Sequence, residues 1–403
     1  MIAPPWLPIP PTGYGGIENV LAALIPALMD LGIDVELFTV GTTTLKATKN
    51  HWLYKEGQYH AIHQPIYESL PVAMAHTLFA VNYVKEKGDF DIIHCHNGFI
   101  GPLAWAHLDP SLPPVIHTLH GPPFTTQDRL DLGIPDNLPM WRELGKSSRM
   151  FVVGISDAIM AHAPRELRSR MLEAVHNGID VSQFTYNDKK NNYFATLARF
   201  HPDKGEDLAI KLCRQGGFSL KMAGVVSDMT RLKQVLLELA NPASRYRNVV
   251  DFRYFSDKIF PHLNSRQIEY LGDLAGKRKQ RFLSHAKALL FPIQWDEPFG
   301  MAPIEALATG TPVIAMNRGA MPEIISHGVN GFLANNEREF FEYMQRVHEI
   351  DPAACRKSVE EKFSAKRMAE QYVNRYQQIL TYNRKLARLT RQQALKATVQ
   401  PVL

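Results

Sequence analysis

Short apolar runs alternate with helical stretches along most of this chain. VELFTV, FDIIHCH, PVIHTLH, RMFVVGIS and EAVHNG read as strands, most of them nearly continuous in apolar or β-branched residues. Such runs suit a parallel sheet covered on both faces. IENVLAALIPALMDLG has apolar residues near the helical period and a stop at Gly32, and Pro26 predicts a kink in it. Only MIA precedes the first prolines, so the first strand is either an edge stub or the remnant of a trimmed start. After Phe184 the polar stretch TYNDKKNNY reads as a linker, and then the alternation restarts. NYFATLARF and FSLKMAGV are strands around the helix DLAIKLCRQ. RFLSHAKALLFPIQW is a helix and then a strand ending at Trp295. PIEALATG is a short helix, PVIAM a strand, and GVNGFLA a turn and strand. The pattern predicts two α/β domains, 1–185 and 186–370. A C-terminal helix over 371–390 and a basic, unstructured tail over 391–403 follow.

Length agrees with two cores, since 403 residues exceed one domain of ordinary size. Hydrophobic residues make up 45% and charged residues 21%, which places the chain among globular proteins. A net charge of +5 suits an anionic small ligand and is too mild for a dedicated nucleic-acid binder. Cys95, Cys213 and Cys355 are odd in number and far apart, which argues against a disulfide framework and for a reducing compartment. No apolar run reaches the roughly 18 residues that span a bilayer. The start has no basic region of the kind that opens a secretory signal. The expected location is the cytoplasm. From Arg384 on, five Lys/Arg fall among scattered apolar residues. A solvated helix end is the plainer reading of this segment, and a peripheral membrane contact is the alternative.

The densest chemistry lies in QWDEPFGMAPIEALATGTPVIA, with Glu297 and Glu305 eight residues apart. Pro303 fits the first turn of a helix and Gly310 its stop, so Glu297 belongs to the preceding loop and Glu305 to the first turn. Phe299, Gly300, Met301 and Ala302 then offer backbone N–H groups at the positive end of a helix, an anion site suited to phosphate. A glycosidase pair would need carboxylates roughly 5–9.5 Å apart facing one bond, whereas eight helical residues span about 12 Å. Two carboxylates gripping hydroxyls at either end of a ligand, with phosphates between them, fit better. A nucleotide-sugar has that shape. The plain alternative is a surface glutamate plus one that complements the helix dipole.

In TLARFHPDKGEDL, Arg199 and Lys204 follow a strand at the edge where open α/β sheets bind ligands, and two cations there can neutralise a diphosphate. In PTGYGGIENV, Gly13, Gly15 and Gly16 lead into a helix. Glu18 stands where a dinucleotide fingerprint needs its last glycine, and no acidic residue ends the second strand, so a dehydrogenase is disfavoured. His94, His96, His117 and His120 cluster at strand ends. No carboxylate or cysteine set completes a metal site at ligand spacing, so no metal is expected. His96 and His120 read as hydrogen-bonding groups facing a cleft, and His94 and His117 as packed in the sheet. Asp89 and Asp91 precede their strand and read as loop, and Ser156 reads as a helix N-cap.

EPFGMAPIE with ALATGTPVIA, LARFHPDKG, GYGGIE, HTLHG, GISDAIMAHA and HNGID together resemble the retaining glycosyltransferases of the GT-B fold, glycosyltransferase family 4. The similarity runs from Ala3 to about Tyr376 and is carried most strongly by the two spaced glutamates. It implies an α/β architecture of two Rossmann-like domains facing across a cleft, with the last helix crossing back to the first. It also implies transfer of a sugar from a nucleotide-diphospho-sugar to a carbohydrate, lipid-linked or small-molecule acceptor, with retained configuration and no metal or other cofactor. By the same resemblance Arg199 and Lys204 hold the diphosphate, Glu297 contacts the sugar and Glu305 the ribose. His120 lies near the reacting centre, and Gly15 and Gly16 approach the phosphates or the acceptor. Arg318-Gly319-Ala320 departs from the two glycines more usual there. A nucleotide-sugar epimerase and a non-catalytic nucleotide-sugar-binding partner are the alternatives weighed.

Overall fold

The computed structural model describes residues 1–398 apart from 14, 99, 107–111, 132 and 265. It divides into two units. The first comprises residues 1–11, 17–176 and 368–403, and the second residues 12–16 and 177–367. The division therefore falls after His176, earlier than the polar stretch that follows Phe184. That stretch is packed rather than a free linker, because Lys190 Nζ donates to Ser284 O at 2.9 Å and to Thr311 Oγ1 at 2.8 Å.

Strands β1 (Glu36–Thr39), β2 (Lys49–Trp52), β3 (Ile93–Cys95), β4 (Val115–Leu119) and β5 (Met150–Gly154) belong to the first unit. All pair in parallel, β1 with β2 and β3–β4–β5 in order. Ile2 bridges Phe38 on one side and Cys95 on the other, so the N-terminal stub is an inner position joining the two groups and not an edge. EAVHNG forms no strand. Met171 makes a single bridge to Val152 and Val175 N–H donates to Gly154 O, after which the chain leaves this unit. The first helix, Gly16–Asp30, contains Pro26, and a longer one spans Ile66–Lys87. The core gathers Ile2, Phe38, Ala80, Val84, Ile93 and Trp105.

Strands β6 (Phe194–Leu197), β7 (Leu220–Ala223), β8 (Ile268–Tyr270), β9 (Ala288–Phe291), β10 (Val313–Met316) and β11 (Gly331–Ala334) form one parallel sheet in the second unit, in the order β11-β10-β9-β6-β7-β8. The chain runs outward from β6 in one direction and from β9 in the other. The switch point of this sheet therefore lies between β6 and β9, the place where open α/β sheets bind ligands at their carboxyl ends. Strand β9 stops at Phe291, because Pro292 has no N–H to continue the ladder, so Trp295 lies in a loop rather than ending the strand.

The last helix is a single element, Ala365–Thr398, and not a shorter helix followed by an unstructured tail. Residues 399–403 lie outside the described residues. Among the described residues no helix is long and apolar enough to cross a membrane.

Candidate active site

Gly300 takes a left-handed conformation (φ 102°) and the helix Met301–Ala308 starts immediately after it. Glu305 is thus the fifth helical residue, two residues deeper than a helix beginning at Pro303 would place it. The amides of Met301 and Ala302 stand at the open end, where a helix has no acceptor of its own to offer them. From Pro303 to Ala308 the helix is buried. Its far end is closed by Arg356, whose Nη1 donates to Ala308 O at 2.7 Å, a cation on the negative pole. Phe299 turns its ring into the core, edge-on to Phe363 at 5.9 Å, so any contact it makes with an anion is through its backbone.

Glu297 sits in the loop before this helix and is held from three directions. Its Oε2 accepts from Lys204 Nζ at 2.5 Å and from Trp295 Nε1 at 2.9 Å. Its carbonyl accepts from Ala320 N–H at 2.9 Å. The Lys204 ammonium also lies 5.0 Å from the centre of the Trp295 ring. The loops after β6 and β9 are tied by Gln294 N–H donating to Asp203 O at 2.7 Å. Gly319, in the loop after β10, packs so closely that a Cβ there would meet Glu297 N and O at 2.4 Å, and its φ is +54°. The glycine retained in Arg318-Gly319-Ala320 is the one this contact demands.

Arg199 and Lys204 do not share a partner. Arg199 Nη1 lies 3.4 Å from Asp251 Oδ2, with Asp251 nearly buried and Arg199 about half exposed. Glu305 also has a cation of its own, since Lys279 Nζ donates to Oε1 at 2.7 Å, and among the described residues Oε2 has no partner. Glu206, two residues beyond Lys204, is buried, and burial pushes its carboxyl up to about 8. Asp251, Lys279 and Glu206 are not legible as site residues, because each is joined to its partner or its burial by tertiary contact alone, whereas Trp295 bonds Glu297 only two residues on.

The glycine loop belongs by its contacts to the second unit rather than the first. Gly16 opens the first helix, and a Cβ on Gly13 would stand 3.7 Å from Asp273 Oδ2. Tyr14, between them, lies outside the described residues.

In the first unit His96 Nδ1 and His120 Nε2 are 2.8 Å apart, one proton shared between two rings. His94 is fixed by Tyr376 OH at 2.7 Å and Thr118 Oγ1 at 2.8 Å. Burial lowers His117 and His120 to about 3 and holds His94 and His96 well below the usual imidazole range, so all four are neutral at pH 7. Among the described residues no group of three or more His, Cys, Asp or Glu could hold a metal ion.

Two family models match this chain, Glycosyltransferase Family 4 over residues 14–183 and Glycosyl transferases group 1 over residues 180–363. The chain belongs to this glycosyltransferase family. It is 23% identical over 380 residues to a D-inositol 3-phosphate glycosyltransferase of Mycolicibacterium smegmatis, covering 86% of this chain and 81% of that one. An uncharacterized glycosyltransferase of Methanocaldococcus jannaschii is 26% identical over 264 residues, 65% of this chain and 66% of the relative. Sucrose-phosphate synthase from Thermosynechococcus elongatus superposes with a TM-score of 0.66 at 18% identity, over 94% of this chain and 98% of that one. AviGT4, a glycosyltransferase involved in avilamycin A biosynthesis, gives 0.61 at 20% identity, over 93% of each chain. The fold is GT-B, and the protein is a glycosyltransferase.

Proposed function

We propose that this chain transfers a sugar from a nucleoside-diphospho-sugar to an acceptor hydroxyl with retention of anomeric configuration. The observation that carries the reading is the Lys204–Glu297 pair, held at the switch point of the second sheet beside the open end of helix Met301–Ala308. A diphosphate there meets the amides of Met301 and Ala302. Lys204 and Arg199 supply positive charge as the leaving group gains negative charge, which is the part a divalent ion would otherwise play. Glu297 accepts from sugar hydroxyls, the free Oε2 of Glu305 accepts from the ribose, and His120 meets the sugar near the anomeric carbon. The three cysteines are free and buried, which suits a reducing cytoplasm.

The test incubates the protein with a panel of uridine, guanosine and adenosine diphospho-sugars, with EDTA present, and follows the anomeric configuration of the product by NMR. The acceptor screen begins with inositol phosphates, because curated relatives carry that name, and extends to lipid-linked and simple sugars. The expected product keeps the donor's configuration. An inverted product would refute retention. A donor epimerised without transfer would refute the transferase reading of the site.

A further inference from the structure

We propose that His96 is a positioning residue that fixes the tautomer of His120, so that His120 meets its ligand as a hydrogen-bond donor through Nδ1–H and not as a proton acceptor. The inference begins with the register of β3 on β4, which pairs His94 with Ile116 and Cys95 with His117. Side chains two apart in extended chain share a face, so His96, just past the end of β3, follows His94, and His120, just past the end of β4, follows Thr118. The rings follow one another in series, tilted, with centroids 4.1 Å apart for His94 and His96 and 5.1 Å for His96 and His120. The series is anchored at its inner end. His94 is bonded on both nitrogens, and Thr118 Oγ1 also contacts Tyr372 OH at 3.0 Å. The backbone N–H of His96 donates to Ile2 O at 2.9 Å, which fixes the strand that carries it.

The proton between Nδ1 of His96 and Nε2 of His120 can sit on only one of them. Nε2 of His96 is sealed from solvent and has no partner. A proton placed on that atom would create an orphaned buried N–H, the rarer and costlier kind of unpaired group, whereas a bare lone pair is better tolerated. His96 therefore carries its proton on Nδ1 and donates it to Nε2 of His120. The single proton of neutral His120 must then be on Nδ1. Among the described residues that atom makes no hydrogen bond, and it is not among the nitrogens sealed from solvent. Burial lowers both imidazoles far enough to keep each neutral. An Nδ1–H on this partly exposed ring complements a lone pair on a sugar oxygen. It cannot remove a proton from an attacking hydroxyl.

The use of this donor rests on the glycosyltransfer reading, but the tautomer does not, and the two are read separately. The full chain, labelled with 15N-histidine, reports protonated and bare imidazole nitrogens by their chemical shifts, with His120→Gln assigning the ring. The expected spectrum shows His120 protonated on Nδ1 and bare on Nε2. In His96→Leu the donor is gone and His120 moves towards the Nε2-protonated form. In His96→Asn the amide nitrogen stands near the place of Nδ1 and the wild-type tautomer is kept. With whichever donor sugar is turned over, kcat/KM falls roughly tenfold or more in His96→Leu and stays within roughly threefold in His96→Asn. A wild-type His120 protonated on Nε2, or a tautomer unmoved in His96→Leu, overturns the inference. If His96→Leu fails to fold, the wild-type and His96→Asn spectra decide it. A chain that turns over no donor sugar while showing the expected tautomer refutes the functional reading and leaves the inference standing.

Discussion

Lys204 Nζ and Glu297 Oε2, contributed by the loops after β6 and β9, are 2.5 Å apart and largely shielded from solvent. The carboxylate is therefore oriented before any ligand arrives, and the ammonium is held at the switch point of the sheet. Charge-assisted contacts of this kind are worth about 1.5–3 kcal/mol each. Glu297→Gln keeps the shape and removes the charge that holds Lys204. Its expected effect is a fall in kcat of roughly 10- to 100-fold with the fold intact by circular dichroism. A kcat unchanged in Glu297→Gln would show that the carboxylate is only a surface anchor for the lysine.

Lys279 and Glu305 form the second pair, with one oxygen of Glu305 engaged and the other free. Lys279→Ala releases the Glu305 carboxylate from the cation that orients it. KM for the nucleotide donor should rise by roughly tenfold, with a smaller change in kcat. Because the two residues act as one, the double variant Lys279→Ala/Glu305→Ala should be no worse than Glu305→Ala alone. Additive losses in that double-mutant cycle would contradict the pairing.

Gly319 carries a sharper steric prediction. Its φ of +54° and the 2.4 Å approach to the Glu297 backbone leave no room for a methyl group. Gly319→Ala should destabilise the second unit by about 1–3 kcal/mol and reduce transfer by displacing Glu297. Equal thermal midpoints for wild type and variant would show that the loop after β10 yields at no cost.

Much of the second unit can be read from sequence because its strands are continuous apolar runs bounded by Gly and Pro. The helix after Gly300 announces itself through Pro303 and Gly310. Strand β2 could not be read the same way. KNHW is a polar edge, and it pairs because His51 stacks on Phe38 at 4.7 Å and bonds Glu36 at 2.7 Å, partners distant in sequence. EAVHNG erred in the other direction, having apolar residues but only an isolated bridge beside it. Lys279 sits in GKRKQR, which in isolation is a solvated basic face. Its role depends on a carboxylate 26 residues away.

Glu206 predicts how stability varies with pH. Burial raises its carboxyl from the ordinary 4.5 to about 8, so the folded chain favours the neutral form. The stability this group contributes is complete below about pH 4.5. It declines as pH rises, because the unfolded chain ionises first, and it is exhausted near pH 8. Glu206→Gln, permanently neutral, should leave the melting temperature nearly unchanged at pH 5 and raise it relative to wild type at pH 8. Parallel wild-type and variant curves across that window would mean that Glu206 is solvated in the folded chain.

The central claim is that Lys204, beside the open end of helix Met301–Ala308, holds the diphosphate of a nucleotide-sugar. Isothermal titration calorimetry of UDP, GDP and ADP into wild type and Lys204→Ala tests it most directly. The expected result is saturable binding of at least one nucleotide by wild type, weakened roughly tenfold or more in the variant. Equal affinity in both proteins, or no binding of any nucleoside diphosphate by wild type, would contradict the claim.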